Sequence, residues 1–409
     1  MKIILVNTRH FYGGGDSTYT FNLADLLRKN GHQVAFFAMK DNHNLPDPNE
    51  DLFVSYINFK ESNKNKNIFN GIQILSRTIY STEARHKFKQ LLERFSPDII
   101  HLQNLHAHIT PSIVFEAKKQ KIPVVWTLHD FKLICPNSHF LIDATGQICE
   151  ACGKAAYYMP FIKKCKKSSF LASGMAALEA VSHRLMGIRE KVDLFLPESL
   201  FLRNKFIERG FLPKKVRHLP LFVPEQLFCK NGRDQGYIFF FSKLEPKKGI
   251  HILLEACRLI PDTNVVLAGG VEEPLKSMMA TLLPPNVHYY IGIKHGEELR
   301  ELLFNARAVV VPSLWYENQP FCIMEAFAAG KPVIASDIGG MTELVKHGER
   351  GLLVPPGDIS ALASSMERIS GQPEEAKKMG DAAYEYALKV HFPAIHYKNL
   401  MNIYQEIIQ

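Results

Sequence analysis

Glu317 and Glu325 are two carboxylates with seven residues between them, in the stretch PSLWYENQPFCIMEAFAAGKPVIASDIGGMTELV that begins at Pro312. Helical spacing starts near Pro320, which puts Glu325 on a helix and Glu317 in the turn before it, at the carboxyl end of the apolar run AVVVPS. A helix N-terminus beside them presents unpaired backbone N–H groups and a partial positive charge, which suit the oxygens of a phosphate or a sugar. An isolated pair of this kind reads as a helix cap and a surface charge. Here, however, SKLEPKKG sets Lys243, Lys247 and Lys248 around a turn at the end of a strand in the same half. Cations in that place would neutralise a diphosphate leaving group, the service a divalent metal performs elsewhere. The glycine-rich strand end LAGG, which contains Gly269, narrows the reading further.

Four of the seven cysteines, Cys135, Cys149, Cys152 and Cys165, fall in one lysine-rich excursion with 13, 2 and 12 residues between them. In a reducing compartment a disulfide is disfavoured, whereas thiolate zinc would fix a loop of low apolar content. Structural zinc and separate thiols both stand as readings, because this spacing is not a common zinc pattern. Cys229, Cys257 and Cys322 read as scattered buried thiols. His101, His106 and His108 gather near the end of DIIHLQN, where they could line a cleft. Without carboxylate spacing they read as structural imidazoles rather than a metal site.

The elements that must position these groups alternate between strand and helix. KIILVN is a buried strand, Gly13, Gly14 and Gly15 a turn, Ser17 to Lys29 an amphipathic helix and HQVAFFAM a second strand, which together make a β-α-β unit. SPDIIHLQN and KIPVVWTLHD supply further strands around a helix from Pro111 to Gln120. FLASGMAALEAVSHRLMGIREKVDLFL reads as a helix followed by a strand. From YIFFFSKL onward the second half alternates in the same way, so the fold class is α/β with two parallel sheets. An interdomain linker is expected near Leu219 to Gln235, where prolines interrupt the periodicity. Asp41 to Asn70 and Lys132 to Ser169 are excursions from the first sheet. Ligands of such sheets bind beyond the carboxyl ends of the strands.

The 409 residues, 46% hydrophobic and 22% charged, exclude disorder, collagen and coiled coil. The apolar run in MKIILVN is far too short for a signal-peptide core and no run approaches a spanning helix, so a cytoplasmic protein is expected. Between Ala151 and Pro220 there are 14 basic and 5 acidic side chains, against 49 and 41 in the whole chain, so one region carries the positive excess. That region suits nucleic acid, anionic headgroups or a phosphorylated substrate. Because no aromatic platforms interleave with its lysines, nucleic acid is the weakest of the three. A basic helix resting on an anionic membrane and a solvated face of a packed helix both remain open.

The second half resembles the nucleotide-sugar domain of the retaining glycosyltransferases of family 4, on the Glu-x7-Glu stretch, on SKLEPKKG and on the turn GLLVPPGD. The resemblance extends over nearly the whole chain. It implies two facing Rossmann-like domains, the GT-B architecture, with residues 1–218 on the acceptor side and residues 219–392 holding the donor. A terminal helix, residues 393–409, would cross back to the first domain. It implies that Lys243 and Lys248 hold the donor diphosphate, although the family usually has arginine where Lys243 stands. Lysine supplies a point charge without arginine's fork. Glu317 would bind donor-sugar hydroxyls, the backbone of Asn318, Gln319, Pro320, Phe321 and Cys322 the sugar and phosphate, and Glu325 the ribose. Pro320 replaces the usual glycine and removes one backbone donor. Gly13, Gly14 and Gly15 would approach the phosphates and acceptor. His129 would orient or polarise the transferring sugar, and Asp130 would assist the acceptor or hold the imidazole.

The resemblance thus implies a transferase moving a sugar from a nucleotide-diphosphate donor to a glycan or lipid-linked hydroxyl, with retention and without a catalytic metal. A cell-surface polysaccharide is the expected product. Its rivals are a nucleotide-sugar epimerase or phosphorylase on the same plan, and a donor-binding partner protein without catalysis.

Overall fold

The computed structural model describes residues 1–57, 77–106, 108–153, 156–230, 232–271, 283–292 and 296–408. Residues 58–70 of the expected excursion from Asp41 to Asn70 lie outside them. The chain divides into two compact units. One comprises residues 1–198, 202–219 and 397–409, the other residues 199–201 and 220–396.

The first unit is built on a parallel sheet of order β2-β1-β3-β4-β7, from β1 (Lys2–Val6), β2 (Gln33–Phe37), β3 (Ile99–Leu102), β4 (Val124–Leu128) and β7 (Leu194–Pro197). Ile3, Ile4, Leu5 and Val6 are all fully buried. Such continuous apolar runs mark strands covered on both faces, where period-two alternation disappears. A two-stranded hairpin, β5 (Leu141–Ile142) and β6 (Gln147–Ile148), sits inside the cysteine-bearing excursion. The helix after the glycine turn spans Gly15–Lys29. The stretch expected as one helix and a strand breaks once more than foreseen. Helix Phe170–Leu185 ends, Gly187 turns the chain at φ +68°, and a four-residue helix Ile188–Lys191 precedes β7. At the terminus Tyr404 is buried with its hydroxyl 2.6 Å from His101 Nδ1, and Arg217 grips Glu406 through two bonds of 2.7 Å.

The second unit carries a six-stranded parallel sheet of order β10-β9-β8-β11-β12-β13. Its strands are β8 (Ile238–Phe241), β9 (Val265–Gly269), β10 (Val287–Ile291), β11 (Ala308–Val311), β12 (Val333–Ser336) and β13 (Gly351–Val354). Alternation along β8 builds two cores. Ile238 and Phe240 pack under the helices Ile250–Leu259 and Ile359–Gly371, while Phe239 and Phe241 join Ile323, Phe327 and Ala383 on the other face. The chain winds outward in opposite directions from β8 and β11, which pair directly. The crevice beyond their carboxyl ends is therefore the switch point of the sheet.

The segment expected as a linker is partly a packed element. Leu221, Phe222 and Val223 are buried. The Val223 amide donates to the His391 carbonyl at 3.2 Å, and His391 Nδ1 and His396 Nδ1 lie 2.8 Å from the carbonyls of Leu221 and Pro220. Prolines broke the periodicity there, but buried backbone must still be satisfied, and two histidines do it.

Candidate active site

Both motifs of the second half emerge at this switch point. Residues 243–249 follow β8 and residues 312–320 follow β11. Two close approaches fix them to each other. Gly249 adopts φ +75° with its α-carbon so near Pro312 that a Cβ would lie 1.9 Å from that carbonyl oxygen, and the Leu314 amide donates to the Lys247 carbonyl at 2.9 Å. Lys248 Nζ then sits 2.6 Å from Glu317 Oε1. The same oxygen accepts from Ser313 Oγ at 3.0 Å and from the Trp315 indole N–H at 2.7 Å. The indole ring also lies under both ammonium groups, 4.6 Å from Lys247 Nζ and 5.3 Å from Lys248 Nζ. Although burial opposes its charge, Lys248 is held above the ordinary lysine range, chiefly by Glu317.

The loop after Glu317 is pinned from behind. The Gly340 amide donates to the Glu317 carbonyl at 2.7 Å, and a Cβ on Gly340 would fall 1.7 Å from the Asn318 carbonyl oxygen. Gln319 is buried and accepts from the Leu221 amide at 2.5 Å, so its side chain anchors the loop. Pro320 caps the helix Phe321–Ala328. Cys322 in its first turn is pushed up to about 12 by burial, with Lys248, Glu317 and Glu325 all close enough to act on it. Glu325, one turn further on, is pushed up to about 7 by burial, and its carboxylate has no hydrogen-bond or ion-pair partner among the described residues. A buried carboxylate without a donor leaves acceptor capacity unspent, which a ligand's hydroxyl groups can use.

Lys243 does not join this cluster. Its ammonium is half exposed and lies 2.7 Å from Glu245, which also takes Lys247 at 3.0 Å. Gly269 closes β9 at φ +142° against the backbone of Ser242, and its carbonyl accepts from the Tyr289 hydroxyl at 3.0 Å. It keeps the end of β8 clear of side chains.

In the first unit, residues after β1, β3, β4 and β7 come together. His129 Nδ1 is 3.0 Å from Glu198 Oε2 and its Nε2 is 2.8 Å from Gln103 Oε1. Burial alone would lower its pKa, but the hydrogen bond and charge of Glu198 overcome that and raise it. Asp130 does the reverse. Burial would raise it, yet the His106 imidazole and the Lys132 amide hold it down at about 2, so it stays ionised. Gly14 and Gly15 open the helix Gly15–Lys29, with Asp16 in its first turn taking the Asn104 amide group at 3.2 Å. His101 lies beneath the sheet between Thr127 and Tyr404, and His108, pushed down to about 4 by burial, stacks on Tyr56. Neither joins the His129 group.

The profile described as Glycosyltransferase Family 4 matches residues 13–226, and that of Glycosyl transferases group 1 matches residues 226–386. The chain belongs to glycosyltransferase family 4. It is similar to the amylovoran biosynthesis glycosyltransferase AmsK of Erwinia amylovora, 30% identical over 193 residues that cover 44% of this chain and 47% of that one. It is also similar to the putative colanic acid biosynthesis glycosyltransferase WcaL of Salmonella typhimurium, 31% identical over 44% of this chain and 48% of that one. Each alignment thus spans about half the length of these curated relatives. A structure of HepE from Anabaena in complex with UDP-glucose superposes at TM-score 0.68 over 99% of this chain and 100% of that one, at 17% identity. That likeness speaks for the fold, two Rossmann-like domains of GT-B type.

Within this family 4 chain, sequence reasoning missed Ser313, Trp315, Glu245, Glu198 and Gln103. The first two lay inside the quoted motif, and their polar hydrogens were the only signal. Glu198 is 69 residues from His129 and nothing local marks it. The cysteine reading is corrected in two places: Cys322 and Cys229 are half-buried rather than buried. Cys135, Cys149, Cys152 and Cys165 share one neighbourhood. Burial, then the other three thiols, push Cys152 up to about 12. Among the described residues, however, no three His, Cys, Asp or Glu side chains form a group that could hold a metal ion. Metal analysis of freshly purified protein decides the zinc proposal: one zinc per chain supports it, and none removes it.

Proposed function

We propose that this chain moves a glycosyl group from a nucleoside-diphosphate sugar to a hydroxyl of a glycan or lipid-linked acceptor, with retention of anomeric configuration, in polysaccharide assembly. One observation carries the reading: the Lys248 ammonium, Glu317 and the donorless Glu325 are gathered around the N-terminus of the helix Phe321–Ala328 at the sheet's switch point. The names of AmsK and WcaL and the ligand of HepE support the same substrate classes.

The chemistry follows from charge. As the bond from the anomeric carbon to the diphosphate breaks, its electron pair stays on the phosphate oxygen. Lys248 and the helix N-terminus oppose that growing negative charge more strongly than the ground-state charge. The acceptor oxygen forms the new bond to the anomeric carbon, and its proton passes to the departing diphosphate. Lys248 exchanges Glu317 for phosphate, leaving Glu317, still held by Ser313 and Trp315, to accept from sugar hydroxyls. Glu325 takes the ribose hydroxyls. Lys243, released from Glu245, assists at the outer phosphate. With both ring nitrogens engaged, His129 acts by charge and orientation rather than as a base, and Asp130 holds the turn that follows it.

Thermal unfolding with a panel of uridine, guanosine and adenosine diphosphate sugars tests this reading, since a ligand that binds only the folded state raises the midpoint by mass action. One base class should stabilise the protein. A panel with no effect at millimolar concentration would defeat the proposal. A sugar changed in configuration without any acceptor would replace it with an epimerase.

A further inference from the structure

The first unit carries an apolar surface that the donor chemistry does not use. Tyr158, Phe161 and Ile162, on and beside the short helix Met159–Lys163, are 64%, 52% and 61% exposed, and Leu171 at the start of the next long helix is 70% exposed. The two helices meet at an aromatic pair. Phe161 and Phe170 lie with ring centroids 5.2 Å apart, and Phe161 packs against the face of Gly174. The stripe continues along helix Phe170–Leu185 through Leu178 and Leu185, each seven residues on and therefore on the same face. Leu185 is 83% exposed. The opposite face of the helix, with Ala176, Ala177, Glu179 and His183, is the buried one.

The charge around this patch has one sign. Residues 151–178 contain five lysines and no aspartate or glutamate. Lys163, Lys164 and Lys167 are exposed beside the aromatic tip, and Lys164 Nζ sits 4.0 Å above the Phe170 ring, so aromatic rings do stand among these lysines, contrary to the expectation from the sequence. The nearest acid of the helix, Glu179, is buried and spent on Lys132 at 2.7 Å. Asp143 is committed to the Asn137 amide group and the Lys167 backbone N–H. Large apolar side chains standing in water next to unopposed ammonium groups match the layered chemistry of an anionic bilayer, in which acyl chains lie below a plane of phosphates. An acidic protein surface would satisfy the lysines but not Ile162 and Leu171, and a second copy of this chain would bring like charges together. Among the described residues no helix is long and apolar enough to cross a membrane.

We propose that the surface formed by Tyr158, Phe161, Ile162 and Leu171 with Lys163, Lys164 and Lys167 docks this chain on anionic lipid membranes, the apolar tips inserting at the depth of the headgroups. The proposal does not depend on the donor reading, because binding is measured without any donor. Full-length protein is sedimented with vesicles of phosphatidylcholine alone and of phosphatidylcholine with 30% phosphatidylglycerol, at low and high salt, and each variant is checked by its thermal midpoint. Wild type should bind the anionic vesicles, bind neutral ones weakly, and be released by salt. The triple variant Lys163→Gln, Lys164→Gln, Lys167→Gln should lose about fivefold in partition per lysine, roughly a hundredfold in all. Ile162→Ser with Leu171→Ser should lose at least tenfold with its midpoint unchanged. No binding to anionic vesicles, or binding that neither variant weakens, overturns the proposal. So does a lipid-free dimer that Ile162→Ser with Leu171→Ser dissociates, since the patch would then belong to a second copy.

Discussion

Replacing Lys248 with methionine removes one charge and keeps most of the packing of the side-chain stem. In the free protein its ammonium answers a carboxylate oxygen that also receives Ser313 at 3.0 Å and Trp315 at 2.7 Å. Stripping the partner from a fully buried ion pair costs about 3–5 kcal/mol. Glu317 keeps two neutral donors and Lys248 is about one-fifth exposed, so the loss of stability should be smaller, about 1–2 kcal/mol. The effect on binding should be larger than that on folding. A hydrogen bond from a charged group contributes about 1.5–3 kcal/mol, which is about 10- to 150-fold in Kd for a diphosphate. Isothermal titration with the nucleoside diphosphate that best stabilises wild type measures this, and the parent nucleoside without phosphates serves as control. The diphosphate should weaken by at least tenfold while the nucleoside is unaffected. An unchanged diphosphate Kd in a folded variant would refute the charge argument. An equal loss for the nucleoside would show that Lys248 only shapes the loop.

Glu325, pushed up to about 7 by burial, should make diphosphate affinity depend on pH. Its carboxylate form accepts from the ribose, so binding should weaken below pH 7 by up to about tenfold per unit, and Glu325→Gln should flatten the profile. A flat wild-type profile between pH 6 and 8 would contradict this. Glu198 raises the His129 pKa against burial, so its ring signals in NMR should titrate above the ordinary histidine value, and Glu198→Gln should lower that pKa because burial is then opposed only by the charges of Asp16 and Asp130. For the same reason the pair stabilises the fold fully below the unfolded histidine pKa and progressively less as pH rises through the folded one. Glu198→Gln should therefore cost more at pH 6 than at pH 9 in denaturant titrations. Gly340→Ala, whose Cβ would meet the Asn318 carbonyl at 1.7 Å, should lose about 1–3 kcal/mol in urea unfolding and weaken diphosphate binding, since the Glu317 loop must move.

The sheet strands were legible because runs such as KIILV and IFFF are too short and too uniformly apolar to be anything but strands covered on both faces. The Glu-x7-Glu stretch and the lysine turn were legible because their spacing places them beyond strand ends whatever the details of packing. What the sequence did not disclose is who answers whom. Lys243 and Lys248 are five residues apart and look equivalent, yet one faces Glu317 and the other Glu245. That choice follows from the turn at Gly249 and its contact with Pro312, a tertiary fact. The sequence left Asp130 either to assist the acceptor or to hold the His129 imidazole. Consecutive residues at a strand end point to opposite sides, so the imidazole went instead to Glu198 after β7, and Asp130 went to His106. Pro220 and Pro224 signalled a break correctly but not its burial, because the histidines that satisfy that backbone lie at positions 391 and 396.

Release of nucleoside diphosphate, measured together with the mass of the acceptor, tests the central claim most directly. Wild type given the stabilising donor and a glycan or lipid-linked acceptor fraction should release one diphosphate per sugar gained by the acceptor, and Lys248→Met should slow both together. Donor consumed with no gain in acceptor mass, or equal turnover in the variant, would contradict the account.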